Sequence, residues 1–72
     1  MLFAKLKGRI KEKFGTQQAF AEAMETSTVT ISMKLNGKIE WKSDEIAKAS
    51  ELLEIPLEEV GIYFIRKSVE AD

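Results

Sequence analysis

Apolar residues recur at the three- and four-residue spacing of amphipathic helices in the first third of the chain. The first stripe consists of Leu2, Phe3, Leu6, Ile10 and Phe14. Gly15 follows it, and glycine adopts the left-handed conformation at a helix end at little cost. Thr16 is a good N-cap for a second helix, whose inward face is Phe20, Ala21 and Met24. The pattern predicts two consecutive helices with a break at residues 15–16.

A third short helix is predicted over residues 28–35. Ser27 can cap it through its hydroxyl, and Asn36-Gly37 ends it. At about 100° per residue, Ile31 and Leu35 share the inward side. The opposite side carries Val29, Ser32, Met33 and Asn36. The segment 16–37 is therefore two short helices joined by about three residues, which is the pattern of a helix-turn-helix.

The second half begins with a loop over residues 38–42, in which Trp41 is expected to be a core residue or else an interface aromatic. Ser43 is predicted to cap a fourth helix with the stripe Ile46, Ala49 and Leu53. Pro56 suits the start of a short fifth helix, Leu57 to about Gly61. Residues 62–65 are rich in β-branched and aromatic side chains, which favours a short strand or extended segment.

These elements together predict an all-α fold, a compact bundle of about five short helices with a short C-terminal extended segment, in one domain over residues 1–72. The tail 62–68 has two interpretations. It packs on the chain's own core, or it forms the seam of a homodimer through Ile62, Tyr63, Phe64 and Ile65. An exposed apolar edge would favour pairing with another chain.

Composition narrows the function classes. The 72 residues include no cysteine and no histidine, which removes the usual zinc ligands and nucleophile–base pairs. We therefore expect no enzyme activity, no metal, no cofactor and no small-molecule ligand. No apolar stretch approaches the roughly 20 residues that a membrane span needs. A cytoplasmic location is the expectation.

The charge is divided between the two halves of the chain. Residues 1–42 carry eight lysines and arginines against four acidic residues, a net charge of +4. Residues 43–72 carry three against eight, a net charge of −5, so the total is −1. A basic first half is compatible with binding to phosphates. An ordinary solvated surface would carry the same charges.

The segment from Thr16 to Gly37 resembles the Cro / lambda-repressor-like (XRE) helix-turn-helix family. The matching residues are Gln17, Phe20-Ala21, Ser27, Ile31 and Asn36-Gly37. The run 32–38, Trp41, residues 44–46 and the aromatic segment 63–65 are similar to small phage and prophage regulators of Gram-positive hosts. The resemblance covers most of the chain and implies a lambda-repressor-like DNA-binding domain.

The resemblance also implies roles for individual residues. The base edges of the major groove would face Thr28, Val29, Ser32 and Met33. The phosphates would be approached by Gln17, Gln18, Lys34, Asn36, Lys38 and Lys42, with Gly37 beside them. Two features depart from the family. Glu25 stands where glycine is common, so a different turn is expected there, and residues 28–35 hold no arginine or glutamine for bidentate base contacts.

Two functions follow from this pattern. In the first, the protein is a Cro-like repressor of phage or prophage origin that binds double-stranded operator DNA as a homodimer, with helix 28–35 in the major groove. In the alternative, it is a modulator or antirepressor that binds a co-encoded repressor protein. It would do so through the same arginine-poor helix or through its acidic second half. Steep salt dependence would distinguish DNA binding from protein binding.

Overall fold

The computed structural model describes residues 3–64, and all regular structure in that range is helical. The α-helices are α1 (Ala4–Phe14), α2 (Gln17–Ala23), α3 (Thr28–Leu35), α4 (Ser43–Leu52) and α5 (Val60–Phe64), and a 3-10 turn at Leu57–Glu59 leads into α5. The predicted all-α bundle of about five short helices is confirmed for this part of the chain. Its longest helix, α1, has 11 residues, so none of them could cross a bilayer.

Two helices begin at the hydroxyl caps that the sequence predicts. Thr16 Oγ1 accepts a hydrogen bond from the Ala19 amide at 3.0 Å. Ser27 Oγ accepts one from the Thr30 amide, also at 3.0 Å. Each bond satisfies an amide that the first helical turn leaves without a partner. The starts of α2 and α3 are therefore determined by local sequence.

The fourth helix begins differently from the prediction. Its N-cap is Lys42 and not Ser43, which is the first helical residue. The Glu45 carboxylate accepts a hydrogen bond from the Lys42 amide at 2.9 Å, which is the carboxylate half of a capping box. The predicted Ser43 cap is wrong by one residue, because the helix begins one residue earlier, where Glu45 accepts from the Lys42 amide.

Four helices end in a residue with a positive φ, namely Gly15 after α1, Glu25 after α2, Gly37 after α3 and Glu54 after α4, with φ of 85°, 62°, 77° and 55°. After α2, the Thr26 amide donates to the Ala21 carbonyl oxygen at 3.0 Å, which is the long bond of a Schellman motif. The expectation of a different turn at residue 25 is wrong. Glu25 adopts the left-handed conformation that is usual for glycine at this position. In this turn, the amides of Glu25 and Thr26 donate hydrogen bonds to the last carbonyl oxygens of α2.

The hydrophobic core draws on every α-helix and centres on α2, which packs on both α1 and α3. Phe20 of α2 is fully buried and meets Phe14 edge to face, with ring centroids 5.4 Å apart. The other fully buried large side chains are Leu6, Ile10, Ile31, Leu35 and Leu53. Since these are the predicted stripes, the core agrees with the apolar periodicity of the sequence.

The predicted extended segment is wrong over residues 62–64. These residues belong to α5, which continues the 3-10 turn after Pro56. Tyr63 and Phe64 are buried, whereas Ile62 is 51% exposed. In a strand, the adjacent residues Tyr63 and Phe64 would point to opposite faces. The helical turn allows both aromatic rings to be buried. Ile65 lies outside the described residues.

Candidate functional site

The outer face of α3 exposes apolar side chains. Val29 is 67% exposed and Met33 is 37% exposed, and residues four apart lie on one side of a helix. Thr28 is exposed beside them, and Ser32 is half-buried. The Ser32 hydroxyl accepts a hydrogen bond from Asn36 Nδ2 at 3.4 Å. All four residues predicted to face DNA bases are thus at least partly accessible on α3.

Lys34 is not the surface residue that a phosphate contact requires. It is 4% exposed, and its ammonium nitrogen lies 2.8 Å from Glu45 Oε1 and 3.2 Å from the Glu40 carbonyl oxygen. The same nitrogen is 5.8 Å from the centroid of the Trp41 ring. Lys34 is the one charged residue of α3, whose sequence is TVTISMKL. With its charge buried and paired, α3 presents an uncharged outer face.

Glu45 supplies the opposite charge of this pair. Burial raises the pKa of Glu45, but hydrogen bonds from Lys34 and from the Lys42 amide, with the positive charges of both lysines, outweigh it. The pKa of Glu45 therefore lies below its ordinary value. The carboxylate is ionised at neutral pH, so the lysine keeps its partner there.

The connection between α3 and α4 carries a further exposed apolar residue, whose backbone is bonded to α3. The amides of Lys38 and Ile39 both donate to the Met33 carbonyl oxygen, at 2.9 Å and 3.4 Å. Ile39 is 36% exposed, so an accessible apolar side chain lies four residues beyond the end of α3. We call Val29, Met33 and Ile39 the α3–loop surface. The sequence prediction missed Ile39, whose only signal is an apolar residue between Lys38 and Glu40 in a polar loop.

Lys38, Lys42 and Asn36 are exposed, as phosphate contacts would require, and Gly37 is half-buried at the turn. Trp41 is half-buried and packs edge to face on Phe64, with centroids 5.2 Å apart. The prediction of Trp41 as a core residue therefore holds in part. Its ring lines a half-open cleft of about 170 Å³ together with Phe3, Ile39, Ile46 and Phe64.

The predicted phosphate contacts at the start of α2 lie beside the basic side of α1. Gln17 lines a shallow cleft of about 220 Å³ with Lys7 and Lys11, and Gln18 is exposed. The structure thus brings an amide side chain and two lysines together. Among the described residues, Gln17 is thus a predicted phosphate contact of α2 that lies beside lysines of α1.

The predicted dimer residues divide between core and surface. Tyr63 and Phe64 are used in the chain's own core, and Lys5 Nζ lies 5.5 Å from the centroid of the Tyr63 ring. Ile62 is exposed, while Ile65 and the rest of the predicted tail to residue 68 lie outside the described residues. The interpretation that the segment packs on its own core therefore applies to Tyr63 and Phe64.

A small all-helical domain with an exposed, uncharged helix face is the class that this geometry defines. The chain belongs to a family described as "Protein of unknown function (DUF739)", whose model matches residues 1–67. The chain is also similar to the modulator of repression (MOR) of the temperate bacteriophage TP901-1 from Lactococcus lactis, known from its solution structure. That match has 48% sequence identity and a TM-score of 0.77, and covers 86% of this chain and 84% of that one. No curated protein matches this chain.

Proposed function

We propose that this chain is a modulator of repression that binds a repressor protein through the outer face of α3. The similarity to the TP901-1 modulator supports the role. The observation that carries the choice of surface and partner is the buried, paired ammonium of Lys34, which leaves α3 without an accessible charge. Such a role belongs in the cytoplasm of a bacterial host, where a repressor and its operator meet.

An uncharged helix face suits a protein partner better than DNA. Most of the affinity for DNA comes from lysines and arginines placed at phosphates, and the strongest base contacts come from bidentate side chains. The outer face of α3 offers Val29 and Met33, with hydroxyls between them. The centre of a protein–protein interface is poor in charge, and methionine adapts its shape to a partner. An apolar helix face laid into a groove is a recurrent mode of recognition.

The test uses the repressor encoded by the same genome as this chain. Binding is measured by isothermal titration calorimetry with the unchanged chain and with Val29→Asp. We expect complex formation with the unchanged chain and a loss of at least about tenfold in affinity with the variant, because a buried unpaired carboxylate costs several kcal/mol.

Leu57→Asp is the matched control. Leu57 is 88% exposed and lies on the 3-10 turn, away from α3 in the sequence, so the same substitution there should leave the affinity unchanged. An equal loss with both variants, or no complex with the unchanged chain, would contradict the proposal.

The second candidate is the sequence-specific, Cro-like DNA-binding regulator of the XRE family, acting as a homodimer on two half-sites. The observation in its favour is the cleft at Gln17, where Lys7 and Lys11 could reach a phosphate while Thr28 and Ser32 meet base edges. This function predicts that the chain alone shifts operator DNA, and that the shift weakens steeply as salt is added.

A further inference from the structure

A single buried ammonium connects the elements that carry the α3–loop surface. We propose that Lys34 is the positioning residue of this surface: it holds the connection between α3 and α4 against α3, so that the Ile39 amide stays on the Met33 carbonyl oxygen. The inference rests on the proposed function for its biological meaning. Its structural content can be tested without any partner.

The geometry of the ammonium supports this role. Lys34 itself belongs to α3, and its nitrogen reaches the Glu40 carbonyl oxygen in the loop at 3.2 Å and Glu45 Oε1 in α4 at 2.8 Å. The face of the Trp41 ring lies on another side, 5.8 Å from the nitrogen. An ammonium has three N–H donors, and here two have oxygen acceptors and an aromatic face is within cation–π distance.

Few other bonds could hold the loop in place. Within residues 3–64, the backbone hydrogen bonds from loop residues 38–42 to α3 come from Lys38 and Ile39 alone, and the second is long at 3.4 Å. From Glu40 onward, every hydrogen bond to α3 in that range is made by Lys34. The loop residues after Ile39 therefore depend on one side chain for their polar attachment to α3.

A methionine of similar length could fill the same space without imposing a direction. A buried charge is unfavourable without its partner. The ion pair therefore favours the loop arrangement in which Lys34 and Glu45 stay in contact. Glu45 is 27% exposed in its side chain and also accepts from the Lys42 amide, so it can be solvated if Lys34 is replaced. Lys34→Met should thus loosen the loop before it unfolds the domain.

The experiment is amide hydrogen exchange, followed by NMR, on the unchanged chain and on Lys34→Met. The reporters are the amides of Lys38 and Ile39, whose acceptor, the Met33 carbonyl oxygen, the substitution leaves in place. We expect these amides to exchange at least about tenfold faster, because an opening that was held closed by a charged hydrogen bond becomes frequent. The core amides of Ile10 and Phe20 should change by less than about threefold.

Lys48→Met is the matched control, since Lys48 forms a surface ion pair with Glu25 at 3.3 Å and should leave the loop amides unchanged. If Lys34→Met does not fold, the double variant Lys34→Met/Glu45→Gln removes the uncompensated carboxylate and is measured in the same way. Uniform acceleration at loop and core amides, or no acceleration beyond that of the control, would overturn the proposal. If the loop amides exchange faster in Lys34→Met but the unchanged chain forms no complex with the repressor, Lys34 remains the positioning residue of the loop and only the proposed function is refuted.

Discussion

Arg9 Nε of α1 donates a hydrogen bond to the carbonyl oxygen of Leu53, at the end of α4, over 2.9 Å. A second guanidinium nitrogen donates to the Glu54 carbonyl oxygen at 3.0 Å. The last carbonyls of a helix lack partners within the helix, and a cation near them also complements the helix dipole. Arg9, from the basic half of the sequence, therefore caps the C-terminal end of α4 in the acidic half.

Replacing Arg9 by methionine should lower the free energy of unfolding by about 1–3 kcal/mol, because both charged hydrogen bonds to carbonyl oxygens are lost and the apolar part of the side chain is kept. The exposed hydrogen bond from Arg9 to Glu12, at 3.3 Å, is also lost but contributes little. Urea denaturation followed by circular dichroism measures this difference. Lys11→Met is the control, since Lys11 is exposed on the same helix and should have little effect. Equal stabilities for the two variants would argue against the capping role of Arg9.

The left-handed Glu25 predicts a stabilising substitution. The left-handed conformation costs a non-glycine residue roughly 1–2 kcal/mol. Glycine removes this cost, but its greater freedom in the unfolded chain offsets part of the gain in stability. Glu25→Gly should therefore raise the free energy of unfolding by about 0.5–1 kcal/mol. The ion pair with Lys48 that it removes is exposed and contributes little.

Gly15→Ala tests the same rule in the opposite direction. Gly15 has a φ of 85°, and an added Cβ would meet nothing within 4 Å, so the change in stability isolates the cost of the backbone conformation. We expect a loss of about 1 kcal/mol. A destabilising Glu25→Gly, measured alongside a destabilising Gly15→Ala, would show that contacts of the Glu25 side chain outweigh its backbone strain.

The Glu45 carboxylate predicts a pH dependence. Its pKa in the folded chain is lowered, since the Lys34 and Lys42 bonds outweigh the effect of burial. A lowered pKa contributes stability that is present at neutral pH and is lost as the pH falls from the ordinary glutamate range through the lowered value. Urea denaturation across this acidic range should show a shallower decline for Glu45→Gln than for the unchanged chain. Glu51→Gln, at an exposed position of α4, is the control, and identical slopes for the unchanged chain and Glu45→Gln would contradict the assignment.

Elements determined by neighbouring residues could be predicted from the sequence. The caps Thr16 and Ser27 need only an amide three residues ahead, and both are confirmed. The C-terminal segment could not be predicted in this way. The β-branched and aromatic residues of 62–65 favour a strand, whereas the burial of Tyr63 and Phe64 in α5 depends on packing against distant parts of the chain.

The candidate site was predicted only in part for the same reason. Val29 and Met33 lie outward because the period of α3 places them opposite Ile31 and Leu35. The family resemblance implied a phosphate contact for Lys34, which requires the exposed position that lysines mostly have. Its helical position beside Ile31 is a signal for burial, but its carboxylate partner lies 11 residues further on in the sequence. A pairing over that separation has no local signature.

The central claim is that this chain acts on a repressor protein and not directly on an operator. A gel shift with the operator DNA, the repressor from the same genome and this chain, added singly and together at low and high salt, tests it most directly. The account predicts that the repressor shifts the DNA, that this chain alone does not shift it at any salt concentration, and that adding the chain changes the repressor's shift. A salt-sensitive shift by this chain alone, with the repressor's shift unaffected by its addition, would contradict the account.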